Sequence, residues 1–274
     1  MKLKKNQGYI IGGFILALVT IVIVVLAIKN KPQSEPVAEE PARKRLSEPV
    51  NIIPVLERAY VSILPVADGR NLTISINHLS KEASSVEYEL EYQSGSMLQG
   101  AMGVIDLSQL PNTEEVFLGS CSAGGACTYH TDISGGNLLL TFIGPENYAL
   151  KTNWRYIDNT TRSSEVASWD AKFQLNSPAL TSVRYSIVFN SPGIPSGLGE
   201  ELQTEFEIIS DIYALNTSST SSGEGKLTIR LLEDSETATI VGYDGNGWTQ
   251  FETTIEDKVA SATVELMELY LVVR

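Results

Sequence analysis

Alternation of apolar and polar residues with a period of two is the feature that most limits what this chain can fold into. In residues 71–78, Leu72, Ile74 and Ile76 share one face with His78, and residues 85–93 repeat the pattern. Successive side chains of a strand point to opposite faces, so this period predicts half-buried β-strands. The alternation recurs at 183–190 and 226–233, and no long amphipathic helix separates the segments. The sequence therefore predicts an all-β ectodomain of antiparallel sheets.

The length of the β-rich part indicates more than one module. Residues 58–274 exceed the roughly 100 residues of one immunoglobulin-like sandwich by about twofold. The polar stretch "DNTTRSSEVAS" at 158–168 is the natural joint between two halves. We therefore predict two antiparallel, Ig-like β-sandwich modules, one at 58–157 and one at 163–274.

The N-terminal part of the chain has a different composition. Residues 8–28 carry no charged side chain and would span about 30 Å as a helix, the thickness of a hydrocarbon core. This pattern predicts a transmembrane helix at 8–28 behind a short cytoplasmic tail at 1–7, with a cleaved signal peptide as the alternative. Residues 29–57 combine repeated prolines with charged residues, which predicts an extended, proline-rich stalk.

The net charge of the chain limits which partners it can bind and indicates on which side of the membrane its bulk lies. The chain holds 33 acidic and 20 basic residues, a net charge of −13, and the acidic excess lies beyond the stalk. A surface of this sign repels polyanions, so nucleic acid is excluded as a partner. Positive residues flank the apolar run almost evenly, so composition decides the orientation. We expect a single-pass membrane protein with its N-terminus inside and its acidic bulk extracytoplasmic.

The segment "GSCSAGGACTYH" at 119–130 holds both cysteines of the chain. Five residues separate Cys121 from Cys127, which suits a disulfide across a hairpin in an oxidising compartment. A zinc site would need four ligands, and Cys127 and His130 lie three apart on one strand, where they point to opposite faces. The sequence therefore predicts a structural disulfide between Cys121 and Cys127, with no metal, cofactor or catalytic residue assigned.

Other patterns are compatible with several roles. Glu87, Glu89 and Glu91 line one strand face, which is either solvated or a calcium-binding surface. Asp244 begins the turn "DGNG", which lacks the acidic twelfth position of an EF-hand loop. The tryptophans, Trp154, Trp169 and Trp248, are either core residues or a sugar platform. Asn159 begins an N-x-[ST] acceptor sequence, which is relevant only in a secretory eukaryote.

Two parts of the chain resemble known groups of proteins. The segment "GYDGNGWTQFETTIEDKVASATVELMELYLVV" at 242–273 resembles the closing strands of β-sandwich modules in bacterial surface proteins. The segments "VEYELEYQSGSMLQG", "LGSCSAGGACTYH" and "LKTNWRYID" are similar to membrane-anchored surface proteins of candidate-phyla bacteria, over roughly residues 58–190. The resemblance implies a surface location and brings no activity with it.

These features predict a membrane-anchored extracytoplasmic protein with a structural, adhesive or binding role at the cell surface. Its partner is expected to be a protein or a cell-envelope polysaccharide. No G-x-S-x-G, phosphate-loop or H-E-x-x-H motif occurs, so no enzyme is predicted. The alternatives are a component of a surface filament or secretion complex and an envelope carbohydrate hydrolase. A free strand edge would favour assembly, and two convergent carboxylates would favour the hydrolase.

Overall fold

The computed structural model describes residues 49–203 and 205–274. The predicted cytoplasmic tail at 1–7, the predicted helix at 8–28 and most of the predicted stalk lie outside these residues. Within the described ranges, no helix is both long enough and apolar enough to cross a membrane.

Strands dominate the described residues, together with helix α1 (Leu198–Leu202) and 3-10 helices at Val55–Glu57 and Pro178–Ser182. In chain order the strands are β1 (Tyr60–Pro65), β2 (Asn71–His78), β3 (Ser85–Ser94), β4 (Met97–Asp106), β5 (Asn112–Phe117), β6 (Gly119–Cys121), β7 (Cys127–Tyr129), β8 (Ile133–Ile143), β9 (Tyr148–Asp158), β10 (Glu165–Ala167), β11 (Phe173–Asn176), β12 (Tyr185–Asn190), β13 (Tyr213–Thr217), β14 (Glu224–Arg230), β15 (Thr239–Tyr243), β16 (Trp248–Phe251), β17 (Thr254–Glu256), β18 (Val259–Glu265) and β19 (Leu269–Val273). The predicted all-β fold is confirmed.

These strands form four antiparallel sheets. The largest has nine strands in the order β16-β15-β19-β13-β12-β9-β8-β3-β4. A three-stranded sheet, β1-β2-β5, and a five-stranded sheet, β10-β11-β14-β18-β17, accompany it, and β6 pairs with β7 as a separate ribbon. The layers of packed antiparallel sheets are those of a β-sandwich.

Two hydrophobic clusters use opposite faces of the nine-stranded sheet. On β12, Ile187 and Phe189 belong to the cluster that includes β2, β3 and β8. Val188, between them in the sequence, belongs to the cluster that includes β11, β14 and β18. Because neighbouring residues of a strand point to opposite faces, β12 is buried on both sides and shares the sheet between two cores.

The nine-stranded sheet continues across the predicted joint at 158–168. Strand β9, in the first predicted module, pairs with β12, in the second, through Val188 opposite Arg155 and Phe189 opposite Trp154. The two clusters on opposite faces draw mainly on residues before and after the joint, respectively. The division into 58–157 and 163–274 stays a prediction, and one continuous sheet runs through both ranges.

Strand alternation in the first half follows the sequence closely, apart from one residue. Leu72, Ile74 and Ile76 of β2 are fully buried. His78, which the pattern places on the same face, is instead exposed. The register shifts between Tyr60 and Val61 of β1, so the alternation is interrupted just before His78.

The last residues of the predicted stalk pack onto the sheets. The Asn51 backbone N–H donates to the carbonyl oxygen of Ala149 at 2.9 Å, and its side-chain amide donates to the carbonyl oxygen of Lys151 at 2.9 Å. The Arg58 guanidinium donates to the carbonyl oxygens of Asn51 and Ile53. Residues 51–58 are therefore held against β9.

Candidate functional site

The cysteine-containing segment forms an exposed hairpin. Strands β6 and β7 pair so that Cys121 faces Cys127, and a disulfide joins them. The pairing predicted from the sequence is therefore present. Residues 120–129 are all exposed to solvent. The disulfide closes the loop of a ribbon that contributes no residue to the hydrophobic clusters of the described residues.

Contacts at its base hold the hairpin to the sheets. His130 shares a hydrogen bond of 2.8 Å between its Nδ1 and the hydroxyl of buried Tyr92 on β3. Its Nε2 lies 3.2 Å from the hydroxyl of Ser120. The guanidinium of Arg70 stacks over the Tyr129 ring, 4.1 Å from its centre. Both ring nitrogens of His130 are thus engaged in positioning the hairpin.

Removal of the disulfide is expected to weaken the fold moderately. The double variant Cys121→Ser, Cys127→Ser should lose at most roughly 2.4 kcal/mol of unfolding free energy. The native disulfide closes a ring of only seven residues, and such a short loop removes little entropy from the unfolded state. A domain of this size should then melt at most roughly 5–10 °C lower. Calorimetry of the oxidised protein and the double variant measures the difference. Unfolding of the whole protein at room temperature would contradict this structural role.

A second exposed feature is strand β4, at the end of the nine-stranded sheet. Its only strand neighbour in the described residues is β3, with ten consecutive residue pairs and no bulge. Leu98, Met102 and Val104 point to solvent and are 65%, 70% and 61% exposed. No residue from Met97 to Ile105 carries a charge. We call this feature the β4 edge: the solvent-facing residues Leu98, Gly100, Met102 and Val104 with their backbone groups.

The acidic row predicted on β3 lies beside the β4 edge. Glu87 is opposite Val104, Glu89 is opposite Met102, and Glu91 is opposite Gly100. On the other side of β3, Glu89 is opposite Leu139 of β8, and Leu139 is in turn opposite Lys151 of β9. In the described part of the chain, no group of three or more His, Cys, Asp or Glu side chains is arranged to hold a metal ion.

The three tryptophans do not form a common platform. Trp154 is buried in the core shared by β3, β8 and β9, and Trp248 packs in a separate cluster with its indole N–H donating to the Ser196 carbonyl oxygen. Trp169 is 62% exposed in the turn between β10 and β11. Two of the three are therefore core residues.

A polar groove of about 550 Å³ follows the outer face of β1 and β2. Ser62, Ser75 and Asn77 line it and are linked by hydrogen bonds, and Tyr243 and Glu268 line it as well. Burial, followed by the charge of Asp244, raises the pKa of the Glu268 carboxyl above its usual range. Backbone N–H groups of the 244–247 turn lower the pKa of Asp244. Glu268 in the groove and Asp244 just outside it therefore interact, with their pKa values shifted in opposite directions.

Glu268 gives the protein a pH-dependent loss of stability. The folded state holds its proton to higher pH than the unfolded chain, so stability falls as pH rises from the ordinary value of 4.5 through the raised folded pKa. Glu268 is nevertheless exposed to solvent over a large part of its surface, which screens the interaction and keeps the effect small. We expect Glu268→Gln to raise the melting temperature by roughly 1–2 °C at pH 7 and to leave it unchanged at pH 3. Glu252→Gln, at an exposed position outside the groove, is the control, and an equal rise in both variants would contradict the assignment.

Sequence reasoning did not identify the β4 edge, although a signal was present. The run from Gly95 to Ile105 follows an acidic strand, begins with a Gly-Ser turn and carries no charge. This composition is unusual for a solvent-exposed strand. What the sequence lacks is the strand order, which determines that β4 ends the sheet.

Comparison with known proteins adds no relative. Neither a protein-family model nor a curated protein nor a solved structure matches this chain.

Proposed function

We propose that this chain is a membrane-anchored extracytoplasmic protein with a structural and binding role at the cell surface, acting through strand addition at the β4 edge. The proposed molecule has a cytoplasmic tail at 1–7, a transmembrane helix at 8–28, a stalk from residue 29 and two Ig-like β-sandwich halves. The apolar run, the acidic composition and the resemblance to bacterial surface proteins support this location. The role is non-enzymatic.

The β4 edge is the observation that supports this role. A long edge strand presents unpaired N–H and C=O groups, and soluble proteins usually block such edges with charge, proline, a bulge or short length. Strand β4 has ten residues, regular pairing to β3 and no charge before Asp106. Exposed Leu98, Met102 and Val104 add apolar surface along it. An extended segment of a partner would gain backbone hydrogen bonds and apolar contacts there.

Photocrosslinking on intact cells tests both the location and the surface. A photoreactive residue at position 102 of the full chain should give covalent adducts, and one at Trp169, which is similarly exposed, should not. Protease added to the intact cells should then release the adducts, because the proposed stalk would be cleavable as an extended segment. Adducts that stay protected would disprove the extracytoplasmic location. Equal labelling at both positions would disprove the role of the β4 edge.

A polysaccharide partner is the second candidate, and the polar groove is the observation that favours it. Hydroxyl and amide groups of Ser62, Ser75 and Asn77 line the groove together with Tyr243. Such walls suit a ligand rich in hydroxyl groups. Binding of purified envelope glycans to the full chain, lost in Tyr243→Ala and retained in Met102→Lys, would support this candidate over strand addition.

A further inference from the structure

We propose that the β4 edge pairs with the β4 strand of a second copy of this chain, antiparallel about a two-fold axis at Ala101. This pairing rests on the proposed function and names its partner. It would join the nine-stranded sheets of two copies into one continuous sheet.

The other sheet edges in the described residues are blocked. Strand β5 follows Pro111 and carries Glu114 and Glu115, and the side-chain amide of Asn216 donates to the Ile63 carbonyl oxygen on β1. Strands β6, β7, β10, β16 and β17 have only three or four residues. Because long open edges promote association, the β4 edge is where a second sheet would add.

The backbone groups of the β4 edge point away from β3. Strands β3 and β4 are joined by the two-residue turn Gly95-Ser96, and the first pair beyond it is Ser94 with Met97. A two-residue hairpin loop closes on a hydrogen-bonded pair, and such pairs alternate with open ones along the ladder. Met97 and every second residue after it therefore bond to β3, and residues 98, 100, 102 and 104 direct their N–H and C=O groups outward. These residues also present the exposed apolar side chains.

The uncharged run determines the register. Met97–Ile105 is centred on Ala101, so a two-fold axis there pairs every uncharged residue of one copy with one of the other. Leu98 then lies opposite Val104 of the second copy, and Gly100 lies opposite Met102, a small residue against a large one. An axis at Met102 instead places Leu98 opposite Asp106, and an axis between two residues brings opposite faces together.

Charge repulsion between two acidic copies is small in this register. The nearest acidic row, Glu87 to Glu91, lies one strand inside β4 in each copy. The two rows are then separated by three strand spacings, about 14 Å. Ionic strength of cellular fluids screens charges beyond about 8 Å. The net charge of −13 therefore opposes other contacts between copies more than this one.

Membrane display provides the concentration that the pairing needs. A stable complex buries about 800 Å² on each partner, more than one ten-residue strand edge supplies. Free copies in solution are therefore expected to associate weakly. Anchoring to one membrane raises the effective concentration toward the millimolar range, as short linkers do in tethered pairs.

Cysteine trapping tests the register in the full chain on intact cells. Leu98→Cys and Val104→Cys, co-expressed as separate chains, should form a disulfide-linked dimer, because opposed residues of a hydrogen-bonded pair lie about 5.5 Å apart, within disulfide range. Each variant expressed alone should not, since its own cysteines would be about 20 Å apart. The native cysteines are joined to each other, so the introduced thiols are free to react.

A further substitution and the controls decide the outcome. Met102→Lys added to both chains should lower the crosslinked fraction at least tenfold, because a lysine at the centre charges the edge. Circular dichroism of each variant checks that the fold is kept. Equal crosslinking in the single-variant cells, or none in the mixture, disproves the pairing. If crosslinking fails while position 102 still photolabels a different protein, the proposed function stands and the two-fold pairing is wrong.

Discussion

Replacing Gly136 by alanine is expected to prevent the nine-stranded sheet from forming normally. Gly136 lies in β8 between β3 and β9, and an added Cβ would lie 2.0 Å from the Glu91 carbonyl oxygen and 2.8 Å from the Tyr92 Cα. Both contacts are to backbone, so no side chain can rotate away. The strand itself must move, which costs more than the roughly 1–3 kcal/mol of ordinary overpacking.

The expected result is loss of soluble protein, or a melting temperature lower by at least about 10 °C. Gly124→Ala is the matched control, because the nearest atom to its added Cβ is the Ser122 hydroxyl at 3.8 Å. Expression level and thermal melting of both variants measure the effect. Similar melting temperatures for the two would show that β3 and β8 can separate at little cost.

The second large effect is expected from Asn159→Asp. The Asn159 amide is 7% exposed and donates to the carbonyl oxygens of Ser163 and Leu180 at 3.0 Å and of Val183 at 3.3 Å. Aspartate has the same shape, but it would place a carboxylate oxygen against these three carbonyl oxygens. Losing the donors and burying an unpaired charge should cost about 3–5 kcal/mol.

Asn153→Asp provides the control for this change. Asn153 is exposed on β9, so the same chemical substitution adds a charge there without burying it. Chemical denaturation of both variants gives the difference in free energy of unfolding. Equal stability of the two would mean that the Asn159 hydrogen bonds contribute nothing net.

The local alternation of apolar and polar residues was sufficient to predict burial in strands that expose one face to solvent. In β3, Val86, Tyr88, Leu90 and Tyr92 are buried, as their spacing predicts. In β12 the alternation at 183–190 places Ile187 and Phe189 on the inner face and Val188 on the outer one, yet Val188 is also buried. A strand with a core on each face loses its alternation, and only the surrounding sheets reveal why.

The stretch 158–168 shows a second limit of sequence reasoning. Its polar composition predicts a joint, and Asn159 begins an N-x-[ST] sequence, which a glycosylating cell could use only if the asparagine were accessible. In the structure, Asn159 is buried, and its amide links the chain after β9 to the 3-10 helix Pro178–Ser182. Polarity there reflects hydrogen bonds made inside the fold as much as exposure to water.

The candidate site could be predicted only in part. Two cysteines, a glycine-rich loop and an acidic composition are local facts, and the disulfide followed from them. The β4 edge depends on which strand ends a nine-stranded sheet, which is decided by pairings between residues far apart in the sequence. Those pairings also place Leu98, Met102 and Val104 in one row.

The continuous pairing of β9 with β12 has a mechanical consequence. Eight spacings of about 4.8 Å place the β4 and β16 ends of the sheet roughly 38 Å apart. Hydrogen-bonded strands connect these ends without a break, so a force applied at β4 would be transmitted to β16 by the sheet. Two copies joined at β4 would thus hold their β16 ends in fixed directions, and the width of the joined sheet would determine how far apart the two copies stand on a membrane.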